Sequence, residues 1–375
     1  MTADAPTRIR VVDFTQVMAG PFCTRLLADV GAEVLKIEPP EGDAMRGRPP
    51  LRDGESAYFG TLNAGKRSVM LDLKTEDGRR DAFCLARSAD VVVENFRPGV
   101  MARLGLGWKA LSEVNPALVY CSISGFGQEG ATASRPAYAP IIHAASGLDL
   151  ALMEFQPSAE RPAPTAMFHA DVLAGVYAWG AIQTALLARS QTGQGQHIDV
   201  ALMDSLLSMM VYECQEAQFP QNRKRHVYTP VKTLDGFVMV VPLSDKNFAA
   251  MLSVLGDPAW GGNPIFATHA QREANWAELM AHVEGWTVTQ TAETCEQRFN
   301  DAGVPCSRYR TVAEALEDPI SKARGVLGTV EDAAGSFGAP NPPFRMSQCR
   351  AVVGRKIPAL GEANAEMLLW PKGTR

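Results

Sequence analysis

The stretch FHADVLAGVYAWGAIQTALLAR (168–189) is an almost unbroken apolar run with one carboxylate, Asp171, near its start. Two chemistries suit an acid in that place. It can cap the helix, its oxygen accepting from free backbone N–H groups, which is the commoner role for such a residue. Or it can be a reactive group facing a pocket, kept ionised by the positive end of the helix dipole.

A second signal comes from cations. Lys74 in DLK, and Arg97 and Arg103 in ENFRPGVMARLG, each fall in or just after a loop expected at a strand end. One such residue is ordinary solvated charge. Three on one side of a sheet suit a ligand with several phosphates, held by charge-assisted hydrogen bonds.

Other chemistries lack their residues. GTLNAGKR (60–67) has Arg67 where a phosphate-binding loop needs a hydroxyl, and a strand-like run follows where a helix should open. It therefore reads as a turn with exposed charges. The first strand-end loop, TQVMAGP, has no G-x-G-x-x-G, so Glu38 alone is a poor sign of a dinucleotide site. His143, His169, His197, His226, His269 and His282 show no metal spacing, and Ser124 in SISGFG lacks the G-x-S-x-G elbow. No metal site is expected.

The elements that must carry these residues alternate. IRVVDF, AEVLKIE, SVMLDL, DVVVENF and ALVYCSISGFG read as strands, separated by GPFCTRLLADVG, EDGRRDAFCLARSA and the long apolar helix. Apolar strands between helices predict an α/β domain on a parallel sheet covered on both faces. Its ligand loops lie at the carboxyl ends of the strands, here 13–21, 37–43, 94–105 and 124–130. After the strand in SQTGQGQHIDV, ALMDSLLSMMVYECQEAQF reads as one helix, and PQNRKRHVYTPVK (220–232) as a linker. TLDGFVMVVPL then predicts a hairpin turning at Asp235-Gly236. The expected boundaries are a first unit at 1–219, the linker at 220–232, a second, smaller unit at 233–325 and a tail at 326–375. That tail reads as Pro-rich connectors and a short final helix.

With 46% hydrophobic residues and a net charge of −5, the chain is globular, with no general attraction to nucleic acid or anionic membrane. The start shows no apolar leader, and no stretch reads as a membrane span. The seven cysteines are scattered without a CxxC pair, as expected of reduced thiols in the cytoplasm.

VVDFTQVMAGPFCTRLLADVGAEVLKIEPPEGD, NAGKRSVMLDLK, ADVVVENFRPG, TGQGQHIDVALMDS and DAGVPCSRY together resemble the class III coenzyme A transferases. This superfamily includes carnitine and formate/oxalate CoA-transferases and the α-methylacyl-CoA racemases. The resemblance implies a Rossmann-like large domain formed by both ends of the chain, a smaller inserted α+β domain at 233–325 and an interlocked homodimer, with acyl-CoA and a carboxylic acid as substrates and no metal or redox cofactor. It implies transfer of coenzyme A through an aspartyl anhydride and an aspartyl-CoA thioester on Asp171, with Tyr138 positioning substrate. Implied CoA contacts are Val17, Met18, Ala19, Leu71, Lys74, Asn95, Phe96, Arg97 and Arg103. Pro39 stands where formate/oxalate members have a basic residue, and their tetraglycine loop is missing, so neither acid is the expected substrate. Racemases pair the Asp with a His in a GHD segment. Here Ala137 and Tyr138 stand in that place, and His143 comes about a turn later. Asp245 aligns with the racemases' additional acid, a feature many transferases share. Transferase is the expected activity; the alternative is a racemase or an intramolecular CoA-transferring isomerase.

Overall fold

The computed structural model describes residues 9–156, 158–220 and 227–372. Residues 1–8, where a leader was sought, and 221–226 of the expected linker, including His226, lie outside the described residues.

Six strands form one parallel sheet: β1 (Arg10–Asp13), β2 (Glu33–Glu38), β3 (Arg67–Met70), β4 (Val91–Glu94), β5 (Val119–Ser124) and β6 (Gln196–Ala201). Their spatial order is β3-β2-β1-β4-β5-β6, every pairing parallel. The order reverses between β1 and β4, so the loops leaving those two strands border the crevice where ligands of such sheets collect. Val11, Val12 and Val91–Val93 are completely buried because both faces are covered. One face packs on α1 (Ala19–Asp29), α6 (Ala139–Ser146) and α8 (His169–Thr192). The other packs on α3 (Glu76–Ala86), α5 (Trp108–Val114) and the C-terminal Ala363 and Trp370.

The long helix departs from the expectation in two ways. At 24 residues α8 is long and apolar enough to cross a membrane, a test of length and composition that the core helix of a globular protein also passes. It is not buried all round, however. Ala170, Ala174, Ala178, Ile182 and Ala185, spaced by a helical turn, enter the core, while Val176, Tyr177 and Leu187 are exposed on its other side. A Cβ at Gly175 would lie 2.7 Å from the carbonyl oxygen of Ala19, so a glycine is needed for α8 to approach the start of α1. The predicted single helix after β6 is two, Leu202–Met209 and Val211–Gln218.

The chain divides into one compact unit of Met1–Gln218 with Lys322–Arg375, and another of Phe219–Ser321. In the second, Val231–Lys232, Phe237–Val240 and Cys306–Arg308 form a small antiparallel sheet packed on helices around Phe248, Leu279 and Phe299. Val231 and Lys232 were assigned to the linker, but Val231 is buried and pairs with Val238, so the hairpin starts there. The return segment contains an unforeseen hairpin, Leu327–Asp332 with Gly335–Pro340. Its inward residues Val330 and Ala339 pack with Phe59, and the four glycines in GVLGTVEDAAGSFGAP hid the strand pattern. The final helix is a 3₁₀ helix, Asn364–Lys372.

Candidate active site

Asp171 is the third residue of α8. Phe168 takes the N-cap position and Asp171 bonds to no backbone N–H of its own helix end, so the capping reading is overturned. The carboxylate accepts instead from the backbone N–H groups of Ala19 and Ala139, the first residues of α1 and α6. Burial is the largest influence on it and raises its pKa from 3.8 to about 6, although both hydrogen bonds act the other way. Asp171 is therefore a half-buried carboxylate, ionised at neutral pH, where three helix N-termini converge.

The local sequence builds this convergence from strand-end loops. After β1, Val17 takes a φ of +68°, an uncommon conformation for a β-branched residue, and Met18 takes the N-cap position of α1. Asn95, just past β4, holds this turn from both sides. Its amide nitrogen donates to the Gln16 carbonyl and its oxygen accepts from the Gln16 N–H, each at 2.8 Å. Tyr58, in the helix Ala57–Asn63 (α2), donates from its hydroxyl to Met18 Sδ at 3.4 Å. Burial first, then the charge of Asp171, pushes the Tyr58 phenol up, which places it in the field of that carboxylate. Tyr58 was not foreseen; an aromatic in a helical run gives no signal of its own.

On the other side, the loop after β5 admits the start of α6. A Cβ at Gly125 would lie 2.4 Å from that of Ala137, so this glycine allows 137–139 to close in. Tyr138 takes the N-cap position beside Ala139 but forms no side-chain cap; its side chain is 68% exposed. One turn further, His143 is completely buried, with Nε2 3.3 Å from the N–H of Ala170 and its ring centroid 5.4 Å from that of His169. Sequence spacing had set His143 aside; the fold brings it to the first turn of α8.

Beneath the first loop lies a buried ionic core. Lys66 Nζ contacts Asp13 Oδ2 at 3.0 Å, Thr24 Oγ1 at 2.7 Å and Asn63 Oδ1 at 2.8 Å. Lys36 Nζ contacts Asp43 at 2.9 Å and the Thr15 carbonyl at 2.8 Å. Burial would raise Asp13, but the charges of Lys66 and Lys36 hold it below its ordinary value. The reading of GTLNAGKR as a turn with exposed charges is thus wrong at Lys66, which ties α2 to β1 and α1. Glu38 is likewise taken, by Arg46 and by Ser68 Oγ at 2.6 Å, leaving it no free face for a ribose.

The remaining predicted CoA contacts lie along neighbouring strand ends. Leu71 is buried just past β3, and Phe96 packs at the edge of the core past β4. Lys74, Arg97 and Arg103 are exposed, and among the described residues their side chains have no ion-pair partner. Arg103 is not in a loop but closes a short helix, Val100–Arg103. None of the three side chains bonds to Asp171. Arg97 borders a cavity of about 540 Å³, lined also by Glu94, Trp108, Ser122, Gln128 and His197, that does not reach Asp171. Burial lifts Glu94 there to about 7, despite hydrogen bonds from Ser122 and the Phe96 N–H. Among the described residues, no group of three or more His, Cys, Asp or Glu could hold a metal ion.

Residues 7–364 match the model of CoA-transferase family III. The chain is 34% identical to succinate–glutarate CoA-transferase of Agrobacterium fabrum, over 96% of this chain and 94% of that one. It is 36% identical to acetyl-CoA:oxalate CoA-transferase of Acetobacter aceti, over 90% and 88% of the two chains. The crystal structure of a CAIB/BAIF family protein from Brucella suis superposes with a TM-score of 0.86 at 33% identity, covering 98% of this chain and all of that one.

Proposed function

The chain belongs to CoA-transferase family III and transfers coenzyme A between an acyl-CoA and a free acid, and we propose that it does so by covalent catalysis on Asp171. The observation that carries this reading is the carboxylate itself: half-buried, not used as a cap, and ionising near pH 6 against two backbone donors. A carboxylate is a weak nucleophile in water; partial desolvation and a fixed orientation are what it needs to attack.

The sequence of bonds follows. Asp171 attacks the thioester carbon, the C–S bond breaks, and coenzyme A thiolate leaves behind a mixed anhydride. The thiolate then attacks the aspartyl carbonyl, releasing the first acid and forming an aspartyl-CoA thioester. The incoming carboxylate attacks that thioester, giving a second anhydride and free thiolate. The thiolate finally takes the new acyl group and restores Asp171. The Ala19 and Ala139 N–H groups are suited to steady the oxyanions on the aspartyl side. Tyr138 is assigned to positioning the acid, and Tyr58 stands in the field of Asp171. Lys74, Arg97 and Arg103 serve the phosphates of coenzyme A, with Leu71 and Phe96 beside its nucleoside and Val17–Ala19 and Asn95 shaping the loop. The reaction as written uses no metal or redox cofactor.

Both relatives described above are named for short dicarboxylates, which supports a dicarboxylate as acceptor and returns oxalate to the panel despite the missing tetraglycine loop. The protein is further proposed to work in the cytoplasm as an interlocked homodimer. The exposed Tyr138, Ile141, Leu150, Val176, Tyr177 and Leu187 favour a second copy, because monomers seldom leave so much apolar surface open. A monomer that persists on dilution in light scattering would refute that. The racemase alternative is disfavoured because His143 Nε2 already accepts from Ala170. Deuterium uptake at the α-carbon of a 2-methylacyl-CoA would revive it.

The mechanism is tested by trapping. Hydroxylamine added during turnover should leave a hydroxamate on the peptide containing Asp171, and borohydride should reduce a thioester there and inactivate the enzyme. Adducts on another carboxylate only, or an active Asp171→Ser protein, would overturn the assignment.

A further inference from the structure

Helices α6 and α8 meet at Asp171 through a reciprocal pair of bonds. The Ala139 N–H at the start of α6 donates to the Asp171 carboxylate. In return, the Ala170 N–H in the first turn of α8 donates to Nε2 of His143. Ala139 and His143 are four residues apart and share one face of α6, while Ala170 and Asp171 are adjacent on α8. The two bonds therefore clamp the same pair of helical turns. The Ala170 N–H is one of the donors that a helix start leaves open, and no side chain of its own segment caps it.

Accepting a backbone N–H fixes the state of the ring. Nε2 must be unprotonated, so the neutral imidazole carries its proton on Nδ1. Nδ1 is buried without a partner among the described residues, as is Nδ1 of His169 beside it. A second proton on His143 would replace the acceptor with a donor aimed at another donor.

The geometry points to His143 as a positioning residue for Asp171: in its neutral Nδ1–H form it caps α8 from α6 and so fixes the carboxylate between the Ala139 and Ala19 N–H groups. Its surroundings keep the ring neutral. Burial lowers its proton affinity, the charge of Asp149 in the helix Leu148–Glu154 opposes this, and His169 on α8 adds to it. Asp171 itself is the remaining ionisable group on that turn.

The effect on turnover rests on the proposed function; the tautomer does not. Protein labelled with ¹⁵N-histidine, with His143 assigned by its loss in His143→Gln, should show an unprotonated Nε2 and a protonated Nδ1 at pH 7.5. An Nε2–H or doubly protonated ring would overturn the proposal. In kinetics, His143→Leu removes the acceptor and should lower kcat roughly ten- to hundredfold with KM for the acyl-CoA within about twofold. His143→Gln, whose amide oxygen can accept from Ala170, should recover most of that loss. The native enzyme needs both an ionised Asp171 and a neutral His143, so log kcat should approach a slope of two at its acid end. With His143→Gln the slope should be one. Full activity in His143→Leu would overturn the proposal. Should that variant fail to fold, an unchanged acid limb in His143→Gln would overturn it equally. If Asp171→Asn kept full activity, the transfer mechanism would fail while the tautomer result stood.

Discussion

Replacing Asp171 with Asn should abolish transfer and, at neutral pH, make the protein more stable. The carboxyl's pKa rises from 3.8 to about 6 in the fold, with burial the main cause. At about 1.36 kcal/mol per unit, that shift of about two units corresponds to about 3 kcal/mol. The partial exposure of Asp171 reduces this to about 2 kcal/mol. Because the folded pKa is the higher one, the folded state holds the proton more tightly than the unfolded chain. The charged group therefore costs stability above about pH 6, and the cost fades as pH falls through 6 toward 3.8. Asn is nearly isosteric, carries no charge, and keeps an oxygen for the Ala19 or Ala139 N–H. Urea unfolding of both proteins at pH 7.5 should show Asn ahead by about 2 kcal/mol, and the gap should nearly close by pH 4. An Asn variant that is less stable at pH 7.5, or a difference that ignores pH, would refute this reading of the site.

The same ionisation sets the rate: kcat should fall about tenfold per pH unit, or more steeply, below about pH 6, and a profile flat to pH 5 would contradict a carboxylate nucleophile at Asp171. Arg97→Ala or Arg103→Ala should raise KM for the CoA donor about tenfold while kcat changes by less than about twofold; a fall in kcat alone would place them elsewhere. Asp13→Asn leaves Lys66 buried without its counter-charge and should cost ~3–5 kcal/mol in chemical unfolding, against almost nothing if the pair were solvated. Dialysis against a chelator should leave activity intact, and a loss restored by zinc or magnesium would count against the proposed chemistry.

Much of the large unit was legible because its strands are short, β-branched and bounded by glycine or polar turns. IRVVDF, AEVLKIE and DVVVENF sit where their apolar runs predict strands. What escaped is what periodicity does not encode. The return hairpin packs through alternate small residues such as Ala339, and so carries little hydrophobic signal. Val231–Lys232 looked like linker because proline and basic residues surround it, yet pairing with Phe237 and Val238 overrides local composition. Lys66 reads as a solvent-facing cation in GTLNAGKR, since its partner Asp13 lies 53 residues earlier.

The candidate site escaped in a different way. Asp171 could be singled out as one acid in an apolar helix, but the groups that define its chemistry are backbone N–H donors. Ala19 and Ala139 have side chains with no functional groups, so the resemblance marked Ala19 only as a coenzyme A contact and nothing marked Ala139. Their positions follow from loop geometry, from the Asn95 clasp on Gln16 and from the close approaches allowed by Gly125 and Gly175. Three helix starts should pull a carboxylate's pKa down, and burial reverses the sign. That balance is what a nucleophile of this kind requires. With stronger donors or more water, the charge would be too well satisfied to attack; with deeper burial, it would be protonated at neutral pH. The two alanines thus do at Asp171 what charged side chains do in other sites, and they add no competing nucleophile or titrating group beside the thioester.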